Sequence, residues 1–560
     1  MSQNTPAMAL DFLADRYWNF LCEETPLAAV LAGCDVATDY IFRESLDDHR
    51  RRYDFAAALT SAVAAIEPDK LDFSRRISLE LLESELHDFK LSFELDAHFR
   101  PSLLPAGPDF HTISFANSTV IDSREAAERY VARLGKLPIY INSIAENLLL
   151  GAKHGYAQPK RVLALAAENA RRSISGPAVE SAWMAPFKRS LLVQRGIVKS
   201  MSQTALETIE NDLYHAIAGF ADLAMHELAP SGRDTIACID SPMGEEYYVS
   251  QVGHFTSVNA TPEELHRLGL EEVARLDDEM TRAAKRAGYP SVEALRVKLS
   301  DNEYFLSPSP EALLIEVRNL AKQIDQVIPS YFGRLPRSTY GVKLIPPAQA
   351  SALPAAFAQL APSDGSAAGI FWISSLTQKA PKYLLPALAL HEAWPGHLMH
   401  TALIQELEEL PAFRRYGALR HAAYIEGWAL YCEGLGDEMG FYEDPYLDFG
   451  RLDMEMFRAA RLVVDTGIHW YRWSREKAID FMLSKLSFPL QMVEGEVDRY
   501  IALPGQALAY QVGNLHLRKF RRRAEETLGE NFNLRRFHEA VMAAGPVTLP
   551  LLEKIVDAWL

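Results

Sequence analysis

Cysteine is scarce in this chain, and the few cysteines form no recognisable pattern. Among 560 residues there are four, Cys22, Cys34, Cys238 and Cys432, and no two of them are separated by only two residues. This spacing excludes both a disulfide framework and a cysteine-based zinc site. We expect most of these side chains to be buried hydrophobic groups, and the compartment to be a reduced one.

Long apolar runs and a basic surface are missing as well. No stretch approaches the ~18–20 uninterrupted apolar residues of a membrane span, and the N-terminus lacks the basic start and apolar core of a signal peptide. The 74 acidic residues outnumber the 57 basic ones, for a formal net charge of −17. Because a nucleic acid or an anionic membrane attracts a basic face, we expect the protein to bind neither. The lack of a signal peptide leads us to expect a cytoplasmic location. The sequence does not indicate an oligomeric state.

Apolar residues and helical periodicity are plentiful. Hydrophobic residues make up 48% of the chain and charged residues 23%, as in a globular protein with a large core. Residues 71–96 repeat apolar side chains at three- and four-residue spacings, which predicts a helix. Thr261-Pro262-Glu263-Glu264 is typical of a capped helix start, and we expect that helix to reach about Gly288. Residues 102–118 and 229–258 are interpreted as irregular, the latter with a short strand at 247–251.

The second half combines one strand with several helices. Residues 369–374 predict a short β-strand, and helices are expected at roughly 415–438, 450–472 and 474–486. The pattern indicates a mainly α (α+β) fold. We place a soft division between an N-terminal helical lobe, 1–240, and a second lobe, 241–560, which contains every motif discussed below.

The segment 391–397, HEAWPGH, contains the side chains from which zinc hydrolases build their centre. In such enzymes two histidines four residues apart share a helix face and bind zinc, and the glutamate beside the first activates water. Here His391 and His397 are six apart, which in a regular helix is a turn of about 600° and separates their faces. Pro395 interrupts the helix, so a bulge at 394–396 could absorb two residues and bring His397 back. This interpretation makes both histidines metal ligands and Glu392 the general base.

A histidine–glutamate pair alone carries little weight. The chain has two others, His226-Glu227 and His538-Glu539, and neither is followed by a histidine four or six residues on. We interpret both as ordinary helix surface.

A downstream segment, 421–435, supplies two carboxylates in an apolar setting. Glu426 and Glu433 are seven residues apart and so lie on nearly the same helix face. A carboxylate among apolar neighbours needs a partner. Glu426 is the natural third metal ligand, and Glu433 could accept a hydrogen bond from the second nitrogen of a ligand histidine. The alternative is a pair of structural ion pairs to arginines such as Arg414, Arg415 or Arg420.

A polar stripe follows on the predicted helix 450–472. Arg461, Asp465 and His469 recur every four residues between apolar side chains. A structural Arg461–Asp465 pair explains the first two, although Arg461 could also bind a substrate carboxylate. His469 is either a donor to a reaction oxyanion or a satisfied core histidine.

Three more candidates come from chain order alone, in segment 499–513. Arg499 could bind a substrate carboxylate, and Tyr500 and Tyr510 are candidate phenol donors to a tetrahedral intermediate.

With HEAWPGH, EGWALYCE, DTGIH and PGQALAY in this order, the chain resembles the bacterial domain-of-unknown-function family 885, which is grouped with gluzincin-type metallopeptidases. The resemblance covers nearly the whole chain. It implies a mostly helical zincin-like fold with a small β-sheet beside the metal-site helix, His391, His397 and Glu426 as zinc ligands, and Glu392 as base. One departure concerns the residues after the motif, where the family commonly has a histidine and a glutamine. This chain has Leu398 and His400 there, which leaves His400 as a candidate extra ligand.

These observations predict a hydrolase with one Zn²⁺ per chain that cleaves a peptide or small amide substrate. The strand at 369–374 could pair with an extended peptide. One alternative keeps the metal and changes the reaction to hydrolysis or C–N cleavage of a small non-peptide metabolite. The other is a binding protein without catalysis.

Overall fold

The computed structural model describes residues 5–26, 29, 32, 42–105, 107–300, 303–350, 353–363, 365, 367–417 and 420–560, without the side chains of 348 and 349. These residues are mainly helical and contain one sheet of three strands, which confirms the predicted mainly α (α+β) class. Among them no helix has the length and apolar character needed to cross a membrane. Cys22, Cys238 and Cys432 are buried, as predicted for most of the cysteines, whereas Cys34 lies outside the described residues.

The chain divides into two compact units. The first comprises Met1–Ser250 with Asp498–Leu503, and the second comprises Gln251–Val497 with Pro504–Leu560. The lobe division at 240 stays a prediction.

The described part of the first unit is built mainly from helices joined by loops and turns. Its α-helices are Pro6–Glu24, Leu46–Val63, Phe73–Glu94, Pro108–Ser118, Arg124–Leu134, Leu137–Lys153, Lys160–Ser173, Ala185–Arg189, Leu191–Gln194, Lys199–Thr208, Tyr214–Asp222 and Ala229–Ser231, with π-helical turns at Ile209–Leu213 and Leu223–Leu228. Two further helices, Gly244–Thr256 and Leu490–Ala502, contain residues of both units.

The second unit holds the sheet and the motif helices. Its strands are β1 (Tyr340–Leu344), β2 (Ala356–Gln359) and β3 (Gly369–Ile373). Five helices carry the motifs: α1 (Leu385–Glu392), α2 (His397–Gln405), α3 (Ala422–Leu435), α4 (Pro445–His469) and α5 (Ala509–Leu528). The others are Pro262–Arg286, Val292–Ser300, Pro310–Tyr331, Pro347–Ala350, Ala412–Arg415, Arg475–Lys485, Leu534–Ala543 and Leu549–Trp559.

Most helices predicted from periodicity are confirmed. Residues 71–96 form the helix Phe73–Glu94, and the three predicted in the second half appear as α3, α4 and Arg475–Lys485. The helix Pro262–Arg286 begins with a complete capping box: Thr261 accepts from the amide of Glu264, whose carboxylate accepts from the amide of Thr261. This reciprocal pair satisfies two amides that the helix itself leaves unbonded.

Two segments expected to be irregular are instead helical. Residues 102–118 contain the helix Pro108–Ser118, and 229–258 contain Gly244–Thr256, so the predicted strand at 247–251 is wrong. Tyr248, Val252 and Thr256 are buried at four-residue intervals. This helical burial stripe outweighs the strand preference of consecutive aromatic and β-branched residues.

The strand at 369–374 is confirmed as β3, but its expected exposed edge is wrong. β3 is the central strand, paired in parallel with β1 and antiparallel with β2. Both of its edges are therefore occupied, and an added peptide strand could reach only β1 or β2. The sheet packs against α1 and α2. Gly369 permits this approach, because a Cβ there would lie 2.8 Å from Cδ2 of Leu398.

Helix α4 runs through the core of the second unit. All residues from Asp448 to His469 except Arg451 are buried, and the helix packs along Pro262–Arg286. Gly269 makes the packing close, because a Cβ there would lie 2.7 Å from Cβ of Leu462. A helix buried on all sides forces its charged side chains to find internal partners.

Helices α3 and α5 cross at a pair of glycines. A Cβ on Gly427 would lie 2.5 Å from the carbonyl carbon of Gly513, and a Cβ on Gly513 would lie 1.9 Å from the carbonyl oxygen of Ala423. Neither position has room for a side chain. The crossing fixes the part of α3 that carries Glu426.

Candidate metal centre

A break between α1 and α2 brings the two motif histidines together. Helix α1 ends at Glu392, the Trp394–Pro395 peptide bond is cis, and α2 begins at His397. The chain is therefore fully interrupted where we expected a bulge within one helix. The His391 and His397 rings meet edge to face, with centroids 4.7 Å apart and planes at 86°.

Two residues define the shape of this break. A Cβ on Gly396 would lie 1.9 Å from the carbonyl oxygen of His391, so only glycine allows the chain to fold back this tightly. The indole Nε1 of Trp428 donates to the carbonyl oxygen of Pro395 at 2.9 Å, and both groups are buried. The position of His397 thus depends on a side chain from α3.

Glu426 completes a cluster of three ligand-type side chains. Its Oε2 lies 3.6 Å from Nε2 of His391 and 3.4 Å from Nε2 of His397. Ligand atoms of all three residues lie within 4.8 Å of one another, and no other described residues form such a group. Zinc–ligand bonds of ~2.0–2.1 Å in a tetrahedron put ligand atoms roughly 3.3 Å apart. The spacing is close to what a zinc ion requires.

The carboxylates and the histidines of the cluster shift one another's pKa values. Burial acts to lower the pKa of His391, but the carboxylates of Glu426, Glu433 and Glu392 outweigh it and raise the pKa to about 9. Burial acts to raise the pKa of Glu426, but the two histidines hold it well below its usual value. Oε2 of Glu426 is buried and accepts no hydrogen bond within the described structure. A buried oxygen without a donor, facing two imidazoles, fits a divalent metal ion.

Glu433 lies behind His391, on the side away from the cluster. Its Oε1 is 2.8 Å from Nδ1 of His391, and the residue is 1% exposed. A carboxylate at Nδ1 leaves Nε2 available as a ligand atom. Glu392 is buried at the last position of α1, adjacent to this histidine.

The arginine alternatives for these glutamates are occupied elsewhere. Arg414 donates to the carbonyl oxygen of Ala544, Arg415 to the hydroxyl of Tyr416, and Arg420 to the carbonyl oxygen of Phe413.

The arginine that does reach Glu433 is one that the sequence analysis missed. Nη2 of Arg458 lies 3.2 Å from Oε1 of Glu433, and Arg458 is buried on α4. The only local signal in the sequence was a second arginine one turn before Arg461 on the same helix.

Arg461 lies between two aromatic rings. Its guanidinium carbon is 4.1 Å from the ring centroid of Phe457 and 4.3 Å from that of Tyr510, and Nη2 is 3.1 Å from Oε2 of Glu496. Stacking on two faces leaves the edge of a guanidinium as its donor surface.

Two packing contacts relate the Arg461–Tyr510 pair to the cluster. On α4, Arg458 stands one turn before Arg461 and contacts the carboxylate behind His391. On α5, Gly513 stands one turn after Tyr510 and packs on α3 beside the third ligand candidate. Because one helical turn rises ~5.4 Å, each member of the pair lies about one turn from a residue that contacts α3.

The remaining predicted site residues are Asp465, His469, Arg499 and Tyr500. Both carboxylate oxygens of Asp465 lie 3.1 Å from the amide of Gly505, and His469 is fully buried at the end of α4. Arg499 lies over the ring of Tyr500, at 4.9 Å, and both belong to the first unit. Their proposed roles in catalysis stay predictions.

His400 is buried and is not part of the ligand group. Its ring lies 4.9 Å from that of Tyr424 and 5.0 Å from that of Trp428, and neither ring nitrogen has a hydrogen-bond partner among the described residues. Burial, reinforced by His397, lowers its pKa well below the usual value. It is therefore an uncharged core side chain.

Of the two isolated histidine–glutamate pairs, one is not on the surface. The His226 side chain is 68% exposed, as predicted, but His538 is fully buried. Its ring nitrogens lie 2.9 Å from the hydroxyl of Tyr431 and 2.9 Å from the carbonyl oxygen of Tyr331. It is a satisfied core histidine.

A groove of about 360 Å³ lies elsewhere on the second unit. Val258, Leu265 and Val512 line it together with polar residues that include Arg267 and His516. None of its lining residues is a ligand candidate.

Comparisons with known proteins agree on the fold and are silent on activity. The model of a family described as "Bacterial protein of unknown function (DUF885)" matches residues 26–556. A crystal structure described as a "putative lipoprotein" from Colwellia psychrerythraea is 27% identical with a TM-score of 0.92, over 100% of this chain and 99% of that one. A "putative lipoprotein of unknown function" from Shewanella oneidensis is 17% identical with a TM-score of 0.71, over 97% and 98%, and shows the fold alone. No curated protein matches the chain.

Proposed function

The chain belongs to the bacterial family of unknown function DUF885, and from that premise we propose that it is a single-zinc hydrolase of peptide or amide bonds. One observation carries the proposal: His391, His397 and Glu426 bring ligand atoms within 4.8 Å of one another, with Glu392 directly beside the first. Two imidazoles and one carboxylate are a ligand set of catalytic zinc sites.

A zinc ion held by these three residues would supply a Lewis acid that acidifies water and polarises a carbonyl group. Glu392 is the residue we propose to accept the proton from the attacking water and to return it to the leaving nitrogen. Its place at the end of α1 supports this role, because the helix stops there and the carboxylate is not followed by another helical turn.

The Arg461–Tyr510 pair is the proposed contact for the substrate. A guanidinium stacked between two rings is held in a fixed orientation, and it suits a carboxylate or a developing oxyanion. Tyr510 also supplies a phenol on α5, one turn from the α3 crossing. Either group would act on a substrate bound beside the three ligands.

The expected cytoplasmic location is also a proposal. The proteins from Colwellia psychrerythraea and Shewanella oneidensis are each described as a "putative lipoprotein", which supports a location in the cell envelope as the alternative. Fractionation of cells that produce the full natural protein distinguishes the two.

A substrate panel tests the proposed reaction. Zinc-loaded protein is incubated with dipeptides and N-acyl amino acids whose termini are free or blocked, and released amine is measured. We expect at least one member to be cleaved, and Glu392→Gln to reduce the rate ~10²–10⁴-fold while retaining zinc. Glu227→Gln makes the same change in an exposed histidine–glutamate pair and should leave the rate unaltered.

Two results would count against the proposal. If protein with a full complement of zinc cleaves nothing in the panel, peptide and amide hydrolysis is wrong, and cleavage of a small non-peptide metabolite becomes the leading alternative. If Glu392→Gln stays active, the base is another residue.

A further inference from the structure

Arg458 is a buried arginine directed at a carboxylate behind the cluster. It is 5% exposed, its Nη2 lies 3.2 Å from Oε1 of Glu433, and its Nη1 donates to the carbonyl oxygen of Met454, one turn earlier on α4, at 3.2 Å. The second contact holds the guanidinium against its own helix. The positive charge of Arg458 is therefore held in a fixed position next to Glu433.

Glu433 needs that charge. The residue is 1% exposed, and neither carboxylate oxygen has a well-aligned hydrogen bond from another described group. The hydroxyl of Tyr442 donates to the backbone carbonyl of Glu433 and not to its carboxylate. An isolated carboxylate at this depth would be strongly destabilising. A cation 3.2 Å away compensates for its burial.

The same oxygen of Glu433 contacts both Arg458 and His391. Oε1 is 3.2 Å from Nη2 of the arginine and 2.8 Å from Nδ1 of the histidine. A carboxylate oxygen shared in this way has little freedom to rotate away from the imidazole. Arg458 on α4 thus holds Glu433 on α3, and Glu433 in turn fixes the orientation of the His391 ring on α1.

We propose that Arg458 is a positioning residue for the metal centre: by anchoring Glu433 it keeps Nε2 of His391 directed at Glu426. The inference rests on the proposed zinc site and extends it to a residue that touches neither ligand atoms nor substrate. It predicts that Arg458 governs zinc affinity through Glu433 alone. Partners of this kind typically change metal affinity ~10–100-fold.

The test is a double-mutant cycle with zinc affinity as the readout. The dissociation constant is measured by chelator competition for wild type, Arg458→Met, Glu433→Gln and the double variant. We expect each single variant to bind zinc roughly 10–100-fold more weakly, and the double variant to be no weaker than the worse single one. Arg458→Lys keeps the positive charge but loses the planar guanidinium with its several fixed donors, and it should recover part of the zinc affinity that Arg458→Met loses.

A spectroscopic readout separates positioning from general destabilisation. The visible spectrum of the Co²⁺-substituted protein reports ligand geometry, and we expect it to change in Arg458→Met. Arg414→Met is the matched control, because Arg414 is also buried in this unit and donates to the carbonyl oxygen of Ala544. It should lower thermal stability without changing zinc affinity or the cobalt spectrum.

The possible failures are distinguishable. If wild type binds no zinc, the proposed function is wrong and the inference falls with it. If wild type binds zinc and Arg458→Met binds it equally well with an unchanged cobalt spectrum, only the inference is wrong. Additive losses in the double variant would also overturn it, because Arg458 would then act independently of Glu433. If Arg458→Met does not fold, Arg458→Lys and Glu433→Gln decide the question.

Discussion

Replacement of Gly396 by alanine tests how the helix break builds the metal centre. A Cβ there would lie 1.9 Å from the carbonyl oxygen of His391 and 2.4 Å from that of Leu390. Since ordinary carbon–oxygen contacts are ~3.3–3.6 Å, the backbone must move by more than ~1 Å. The adjacent residue is His397, and metal–ligand distances tolerate only ~0.2 Å. The alanine variant cannot keep both an unstrained break and the ligand position.

The size of the effect follows from the contact. Overpacking costs about 1–3 kcal/mol, and more when backbone must yield, so we expect a combined loss of about 3 kcal/mol. That loss is divided between the free energy of unfolding and zinc binding, and the part in zinc binding is at most roughly 100-fold in affinity. Chelator competition and thermal unfolding of the zinc-free protein measure the two parts.

The matched control is Gly434→Ala on α3. A Cβ there meets nothing within 4 Å, and alanine in a helix is favoured over glycine by roughly 0.5–1 kcal/mol. We expect unchanged zinc affinity and equal or higher stability. Wild-type zinc affinity together with wild-type stability in Gly396→Ala would refute the reasoning.

Three further changes have defined outcomes. Gly513→Ala puts a Cβ 1.9 Å from the carbonyl oxygen of Ala423, so thermal unfolding should show a loss of ~3 kcal/mol, and zinc affinity should fall as α3 shifts. Trp428→Phe leaves the buried carbonyl of Pro395 without its donor and should cost ~1–2 kcal/mol by the same assay. Burial, against opposing contacts, raises the pKa of Asp453 to about 6 from 3.8. The fold thus favours the neutral acid, and the unfolding free energy should fall by roughly 3 kcal/mol as pH rises from about 4 through 6. Asp453→Asn should remove that component from the pH dependence.

Residues close in sequence accounted for much of what could be predicted. The helix Pro262–Arg286 was predictable because its capping box lies within four residues. The cluster of His391, His397 and Glu426 was predictable because ligand chemistry restricts the residue types, and because Pro395 marks an interruption. The failures at 102–118 and 244–256 came from strand-preferring or turn-like residues whose burial is set by distant parts of the chain.

Contacts between separate helices were beyond the reach of a single sequence. Arg458 lies 25 residues from Glu433 in the chain, and nothing local to either residue indicates the other. The place of β3 between β1 and β2 depends on pairings to segments with weak strand signals. The Arg461–Tyr510 contact likewise joins α4 to α5, and only the packing of those helices reveals it.

Metal content is the most direct test of the central claim. Protein purified without added metal is assayed by elemental analysis beside His391→Ala and Glu426→Ala. The account predicts about one zinc per chain in wild type and its loss in both variants. Absence of metal from wild type even after zinc is offered and the excess removed, or equal metal in all three proteins, would contradict it.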